Sequence, residues 1–274
     1  MKNLPKTIIL STITAAILIS TANLLPIKAQ IIDSEISPIL FNRTKLPPRG
    51  TPGDRIGGGT RRTDLQVIIL ESEDLQCPDF TKDNPVFALV PKETENNLSY
   101  VGGLTVNPSP TLWFYLPYSP NLIQKGELKI WDKTNPNPRR HQLIYSGNFT
   151  PNATPGIIGL NIPSEIQLKP DQKYEWKIEI ISNCETQPIT IHGQIGVVSD
   201  LILPENLTPR EQAITYAQEG IWHDSLTILS QLILDNPNDA TAVNDWQKLL
   251  TDVGLENLIE APIIPCCQLE PNSN

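Results

Sequence analysis

From residue 65 to residue 197, short runs of β-branched and aromatic residues are cut repeatedly by Asn-Pro, Ser-Pro and Pro-Asn steps. This punctuation constrains the fold more than any other feature of the chain. Proline lacks the N–H that a ladder needs, so it is confined to turns, strand ends and sheet edges. Many short runs between such turns describe an antiparallel β-sandwich and leave no room for a bundle of long helices. Strands are expected near 65–71, 86–90, 99–106, 111–116, 127–131, 141–146, 157–162, 174–181 and 189–197. The clearest is Tyr174-Glu175-Trp176-Lys177-Ile178-Glu179-Ile180. Successive side chains of a strand point to opposite faces, so its aromatics and isoleucines share one face and its charges the other.

Two further segments refine this reading. Leu168-Lys169-Pro170 followed by a strand that opens on Tyr174 resembles the tyrosine corner of immunoglobulin-like and fibronectin-type sandwiches, in which the Tyr hydroxyl bonds back to the upstream backbone. Thr111-Leu112-Trp113-Phe114-Tyr115-Leu116 is apolar on both faces, whereas a sandwich strand with one wet face should alternate with polar residues. Something therefore covers its outer side, either the helices that follow in the chain or a ligand or partner.

Those helices begin at Thr208-Pro209-Arg210-Glu211, an N-cap, a proline at the first helical position and the acid of a capping box. Ala213, Tyr216, Ala217, Gly220, Trp222, Ser225, Leu229, Leu232 and Pro237 follow at spacings that resemble one tetratricopeptide-like hairpin. Small residues let the two helices approach, and Trp222 and Leu226 point to the seam. A third helix near 240–252 presents Trp246, Leu249 and Leu250 and stops at Gly254. A single repeat cannot build the concave surface of a stacked array. The expected fold is thus mainly β with C-terminal α: an antiparallel immunoglobulin-like β-sandwich over residues 64–200, then a short helical cap over 207–259, a hairpin plus one helix.

The N-terminus reads as an export signal. Lys2 and Lys6 precede an uncharged run from Thr7 to Leu25, and Pro26 and Ala29 shape a cleavage site before Gln30. Residues 1–29 are therefore expected to be a signal peptide, and the apolar run is short for a membrane anchor. No later stretch is apolar enough to span, so no stable membrane span should remain after cleavage. The whole chain carries 21 basic and 30 acidic residues, and cleavage removes three lysines and no acid, so the mature charge is −12. Such a field excludes non-specific attraction to nucleic acid or anionic lipid. The expected localisation is secreted or periplasmic, in the cell envelope.

Residues 30–63 form a Pro/Gly/Arg-rich arm that reads as flexible, with too few apolar groups for a core of its own. From Lys45 to Arg62 it holds five positive charges and one negative. A phosphate loop would need a preceding strand and a Gly-Lys-Ser/Thr ending, and neither is there. The arm is a linker, or it binds an anionic partner through Arg49, Arg55, Arg61 and Arg62. The four cysteines of an exported chain suggest disulfides, with three pairings open. Cys77 with Cys184 is the preferred pair; Cys266 and Cys267 sit in a tail, 260–274, that also reads as flexible.

No catalytic, cofactor or metal motif is found. His141, His192 and His223 are far apart in sequence without ligands at metal spacing, and there is no nucleophile elbow. His223-Asp224 reads as an ordinary pair on a helix. Trp131 faces outward by strand parity, since Leu128 and Ile130 take the core face, and an exposed aromatic can stack on a sugar ring.

Four stretches together resemble an exported cyanobacterial family called domain of unknown function 928. They are Pro48-Arg49-Gly50 running to Gly57-Gly58-Gly59-Thr60-Arg61, Phe87-Ala88-Leu89-Val90-Pro91, the aromatic strand 110–118, and Tyr216-Ala217 with Gly220-Ile221-Trp222-His223-Asp224-Ser225-Leu226. The resemblance covers nearly the whole mature chain and implies an envelope protein of unassigned activity. Where that family often has a Cys soon after the glycine run, this chain has Arg62 and Thr63. The expected function is non-enzymatic binding of a protein or surface polymer without a cofactor. Carbohydrate binding by exposed aromatics is the first alternative, and a hydrolase with an unrecognised site the second.

Overall fold

The computed structural model describes residues 38–45, 47, 53, 55–57, 85–199 and 201–271, all within the unit Glu35–Asn274. The strands are β1 (Ile56–Gly57), β2 (Val86–Ala88), β3 (Lys92–Glu95), β4 (Leu98–Thr105), β5 (Thr111–Leu116), β6 (Ile123–Asp132), β7 (Gln142–Phe149), β8 (Gly156–Asn161), β9 (Tyr174–Ser182), β10 (Ile189–Val197), β11 (Ile263–Ile264) and β12 (Glu270–Pro271). The helices are α1 (Pro209–Gln218), α2 (Trp222–Asp235) and α3 (Ala240–Asp252). Cys77, Arg49, Arg61, Arg62, the signal segment and the strand expected at 65–71 lie outside the described residues.

A five-stranded sheet in the order β1-β2-β5-β8-β11 faces a seven-stranded sheet in the order β12-β7-β6-β9-β10-β4-β3. In β9 every second residue is buried: Tyr174, Trp176, Ile178 and Ile180 enter the core. The charges between them pair on the outer face, where Lys129 reaches Glu127 (2.9 Å) and Glu179 (3.1 Å) and Lys177 reaches Glu179 (2.9 Å). The sandwich is mixed rather than purely antiparallel, because β4 runs parallel to β10 and β11 parallel to β8. Period-two alternation reports which face a side chain takes; it carries no information on the direction of the neighbouring strand.

The corner expected at Tyr174 is present. Lys169 N–H donates to the Tyr174 hydroxyl at 3.0 Å, and that hydroxyl donates in turn to Gln172 Oε1.

The two-sided strand β5 divides its residues between two cores. Leu112, Phe114 and Leu116 enter the sandwich, where Phe114 meets Phe149 edge-on at 5.9 Å. On the opposite face Trp113 Nε1 donates to Thr227 Oγ1 of α2 at 3.0 Å. Beside it Trp222, fully buried, donates from Nε1 to the Leu89 carbonyl at 2.7 Å. The helical cap therefore covers the second face, as the pattern of β5 required. Within the cap, Thr208 and Glu211 form the capping box, and Ser225 Oγ donates to the Ala213 carbonyl at 2.8 Å between α1 and α2. Arg210 grips Asp245 through Nε (2.6 Å) and Nη2 (3.2 Å), tying α1 to α3.

The two segments that read as flexible are docked wherever they are described. Phe41 packs edge-on to Trp222 at 5.0 Å, and its N–H donates to Asp252 Oδ2 at 3.0 Å. Asn42 and Lys45 press on Gly220, whose φ of +73° and lack of Cβ allow both the turn between α1 and α2 and the close approach. Ile56–Gly57 pairs with β2, and in the tail β11 and β12 add to one edge of each sheet. Sheet edges offer unpaired N–H and C=O groups that any short extended piece can fill, whatever its hydrophobicity. Composition alone therefore does not reveal such docking.

Candidate functional site

One end of the sandwich carries a polar groove built by the link between β6 and β7. That link, Lys133 to His141, contains Asn135-Pro136-Asn137-Pro138-Arg139-Arg140-His141. Three side chains fold it back on itself. Asp132 Oδ1 accepts from Thr134 N–H (2.8 Å), Asn135 Oδ1 from Asn137 N–H (3.0 Å) and Asn137 Oδ1 from Arg139 N–H (3.1 Å). Successive turns of this kind, with two prolines, fix a loop that would otherwise be mobile. His141 Nε2 lies 3.1 Å from the Asn135 carbonyl; a carbonyl only accepts, so Nε2 carries the proton.

The loop is braced on the tyrosine corner. Lys133 N–H donates to the Lys173 carbonyl (2.8 Å) and Lys173 N–H to Thr134 Oγ1 (3.0 Å). Burial, with a smaller push from Asp132, raises the Tyr174 phenol, opposed by the Lys169 N–H, so the hydroxyl stays protonated and able to donate. The groove has a volume of about 710 Å³ and is lined by Asp132, Arg139, Arg140, His141 and Gln172 among others. A hollow of about 290 Å³ adjoins it across Asn135 and His141, with Lys133, Lys173 and Glu175 on its wall.

The charges are unevenly satisfied. Lys133 is paired with Glu175, and the Asp132 carboxylate serves Thr134. Arg139 and Arg140 are exposed, and among the described residues neither guanidinium has an ion-pair partner. Two forked donors thus stand free on a braced loop.

Trp131 is half-buried on the outer face of β6, opposite Leu143 of β7, which is 52% exposed. A bulge skips Ile144 at this point, and such irregularities re-aim side chains. Trp131 adjoins the groove through Asp132, the next residue.

The other residues singled out from the sequence lie elsewhere. Arg55 is bound within the molecule: its Nη1 donates to the Val253 carbonyl (2.8 Å) and its Nη2 to the Gly254 carbonyl (2.9 Å), capping the C-terminal end of α3. Cys184 follows β9 away from the groove, and its N–H donates to Ser182 Oγ at 3.0 Å. The pairing of Cys184 with Cys77 falls outside the described residues. Cys266 and Cys267 lie half-buried between β11 and β12. Among the described residues no three His, Cys, Asp or Glu side chains gather as a metal site, and no helix is long and apolar enough to cross a membrane. The groove residues were not singled out from the sequence, although Asn-Pro-Asn-Pro followed by three basic residues was the signal there to be read.

A model of the family described as Domain of Unknown Function (DUF928) matches residues 56–263, from β1 to β11. The chain belongs to this family. The matched span in this DUF928 protein holds the groove loop, the cap and the strands of both sheets except β12, so the groove is part of the family unit and not an appendage. No curated protein matches the chain, and no solved structure matches it.

Proposed function

We propose that this DUF928 protein is exported and binds, without catalysis, a surface polymer bearing carboxylate or sulfate groups in the groove at the β6–β7 end of the sandwich. The observation that carries the reading is the pair of exposed guanidinium groups, Arg139 and Arg140, without an ion-pair partner among the described residues, on a loop braced by three side-chain turns. Arg presents a planar fork that matches such anions, and a braced loop loses little freedom on binding. The export reading rests on residues 1–29 of the sequence. The mature net charge of −12 gives no long-range steering toward an acidic polymer, so the attraction is local, within the ~8–10 Å over which charges act at moderate salt.

The test is binding of the mature chain to immobilised acidic and neutral polysaccharides. Binding to the acidic set should fall about tenfold or more in the Arg139→Ala, Arg140→Ala double variant and should weaken as salt rises. Equal binding by wild type and double variant would refute the groove. A second reading is favoured by Trp131 beside exposed Leu143: stacking on a neutral sugar ring. In that case Trp131→Ala abolishes binding and salt has little effect. Reducing ends measured in the same mixtures report on the hydrolase alternative.

A further inference from the structure

A second polar cavity lies at the seam between α1, α2 and the β4–β5 turn, away from the groove. It has a volume of about 230 Å³, and its wall includes Asn107, Gln212, Tyr216, His223, Asp224 and Thr227. The most telling of these is His223. It is 1% exposed, and among the described residues neither ring nitrogen makes a hydrogen bond of full geometry. Its ring is seated on Gly103 of β4, where a Cβ would stand 2.9 Å from Nε2, so a larger residue at 103 would expel it. The Thr111 backbone carbonyl acts on the ring as a weak acceptor, short of full hydrogen-bond geometry. A buried polar ring without a partner is costly unless something supplies one.

The remaining wall states what that something is. Asp224 is already committed: it accepts from Val106 N–H at 3.1 Å and holds the turn in place. Thr227 Oγ1 accepts from Trp113, which leaves its own proton to give. Asn107 Oδ1 accepts from Ser109 N–H (2.9 Å), leaving its amide N–H groups. Gln212 donates from Nε2 to the Leu207 carbonyl (3.1 Å), leaving its Oε1 to accept. Tyr216 is held protonated by burial and then by Asp224, so it donates. The wall thus offers both donors and acceptors, Pro110 and Ile228 give apolar edges, and among the described residues no Lys or Arg lines the cavity. An anion finds no counter-charge among these residues, and the Asp224 carboxylate is engaged by the Val106 N–H and the Thr105 hydroxyl.

We infer that the seam cavity is a binding site for one small neutral polyhydroxyl ligand, of the size and chemistry of a single sugar ring. Hydroxyls both donate and accept, which this wall demands, and the volume is below the roughly 300–1,000 Å³ of sites for larger ligands. The inference does not rest on the groove reading.

The experiment titrates the full mature chain with free neutral hexoses and N-acetylhexosamines, with free glucuronate as the charged control. Saturation-transfer NMR detects binding and calorimetry gives its strength. At least one neutral sugar should bind in the millimolar range or tighter, and glucuronate should not. Tyr216→Phe and Gln212→Leu should each weaken binding about tenfold, while the Arg139→Ala, Arg140→Ala double variant should leave it unchanged. The inference is overturned if no neutral sugar binds at millimolar concentration. It is equally overturned if binding survives both seam variants or is lost only in Trp131→Ala.

Discussion

Replacing His223 with Leu should flatten the acid side of the stability profile. His223 is buried under Gly103 without a hydrogen bond of full geometry, and desolvation pushes its imidazole down to about 4, opposed only by the weak acceptor at the Thr111 backbone. An unfolded chain titrates the same ring near 6.5. The folded state therefore refuses a proton that the unfolded state accepts. Above pH 6.5 the ring is neutral in both states and its titration contributes no pH dependence; stability is lost as pH falls from 6.5 toward 4. A shift of that size corresponds to roughly 3 kcal/mol once both states are titrated, and to about 2 kcal/mol at pH 5. The charged neighbour facing the ring's surroundings, Asp224, is raised by burial, so its protonation at low pH offsets part of the loss in both proteins. Glu179, held low by Lys177 and Lys129 against the cost of burial, loses its pairing in acid in both proteins and cancels in the comparison. At pH 7.5 the Leu variant removes no hydrogen bond and should unfold within about 1 kcal/mol of wild type. Urea unfolding of both proteins from pH 7.5 to 4.5 decides this. The variant should become the more stable by about 2 kcal/mol near pH 5. A difference that stays constant across the range would refute the claim that the ring is buried neutral.

Trp222→Ala should cost about 3–5 kcal/mol and expose the Trp113 face to a hydrophobic dye, since it empties the seam and orphans the Leu89 carbonyl. A small loss without dye binding would mean that the cap and sandwich are independent. Arg55→Met removes the two bonds to Val253 and Gly254 and should speed proteolytic cutting between Arg49 and Arg62; unchanged cutting would show that the arm is held by β1 alone. N-terminal sequencing of the exported protein should begin at Gln30, and a retained Met1 would overturn the signal reading. Peptide mapping without reduction should link the Cys77 and Cys184 peptides, and pairing of either with Cys266 or Cys267 would refute that assignment.

What was legible in the sequence is what local physics settles. The alternation of β9, the capping box at Thr208, the corner at Tyr174 and the stop at Gly254 each depend on residues a few positions apart. The two apolar faces of β5 went further and called for a cover, because burying only one of them would leave large side chains in water. The tertiary structure alone decided which neighbours meet. It set β4 parallel to β10 across the intervening strands, and it filled one sheet edge with Ile56–Gly57 and others with the tail. It also assembled both polar sites. In the groove, Arg139 and Arg140 gain their meaning from a brace on Lys173 and Tyr174, which lie more than thirty positions away. At the seam, His223 looks like any helical histidine until Gly103 of β4 closes over it. Periodicity encodes which face a residue takes, but burial without a partner arises only when two distant segments pack, and no window of sequence contains both.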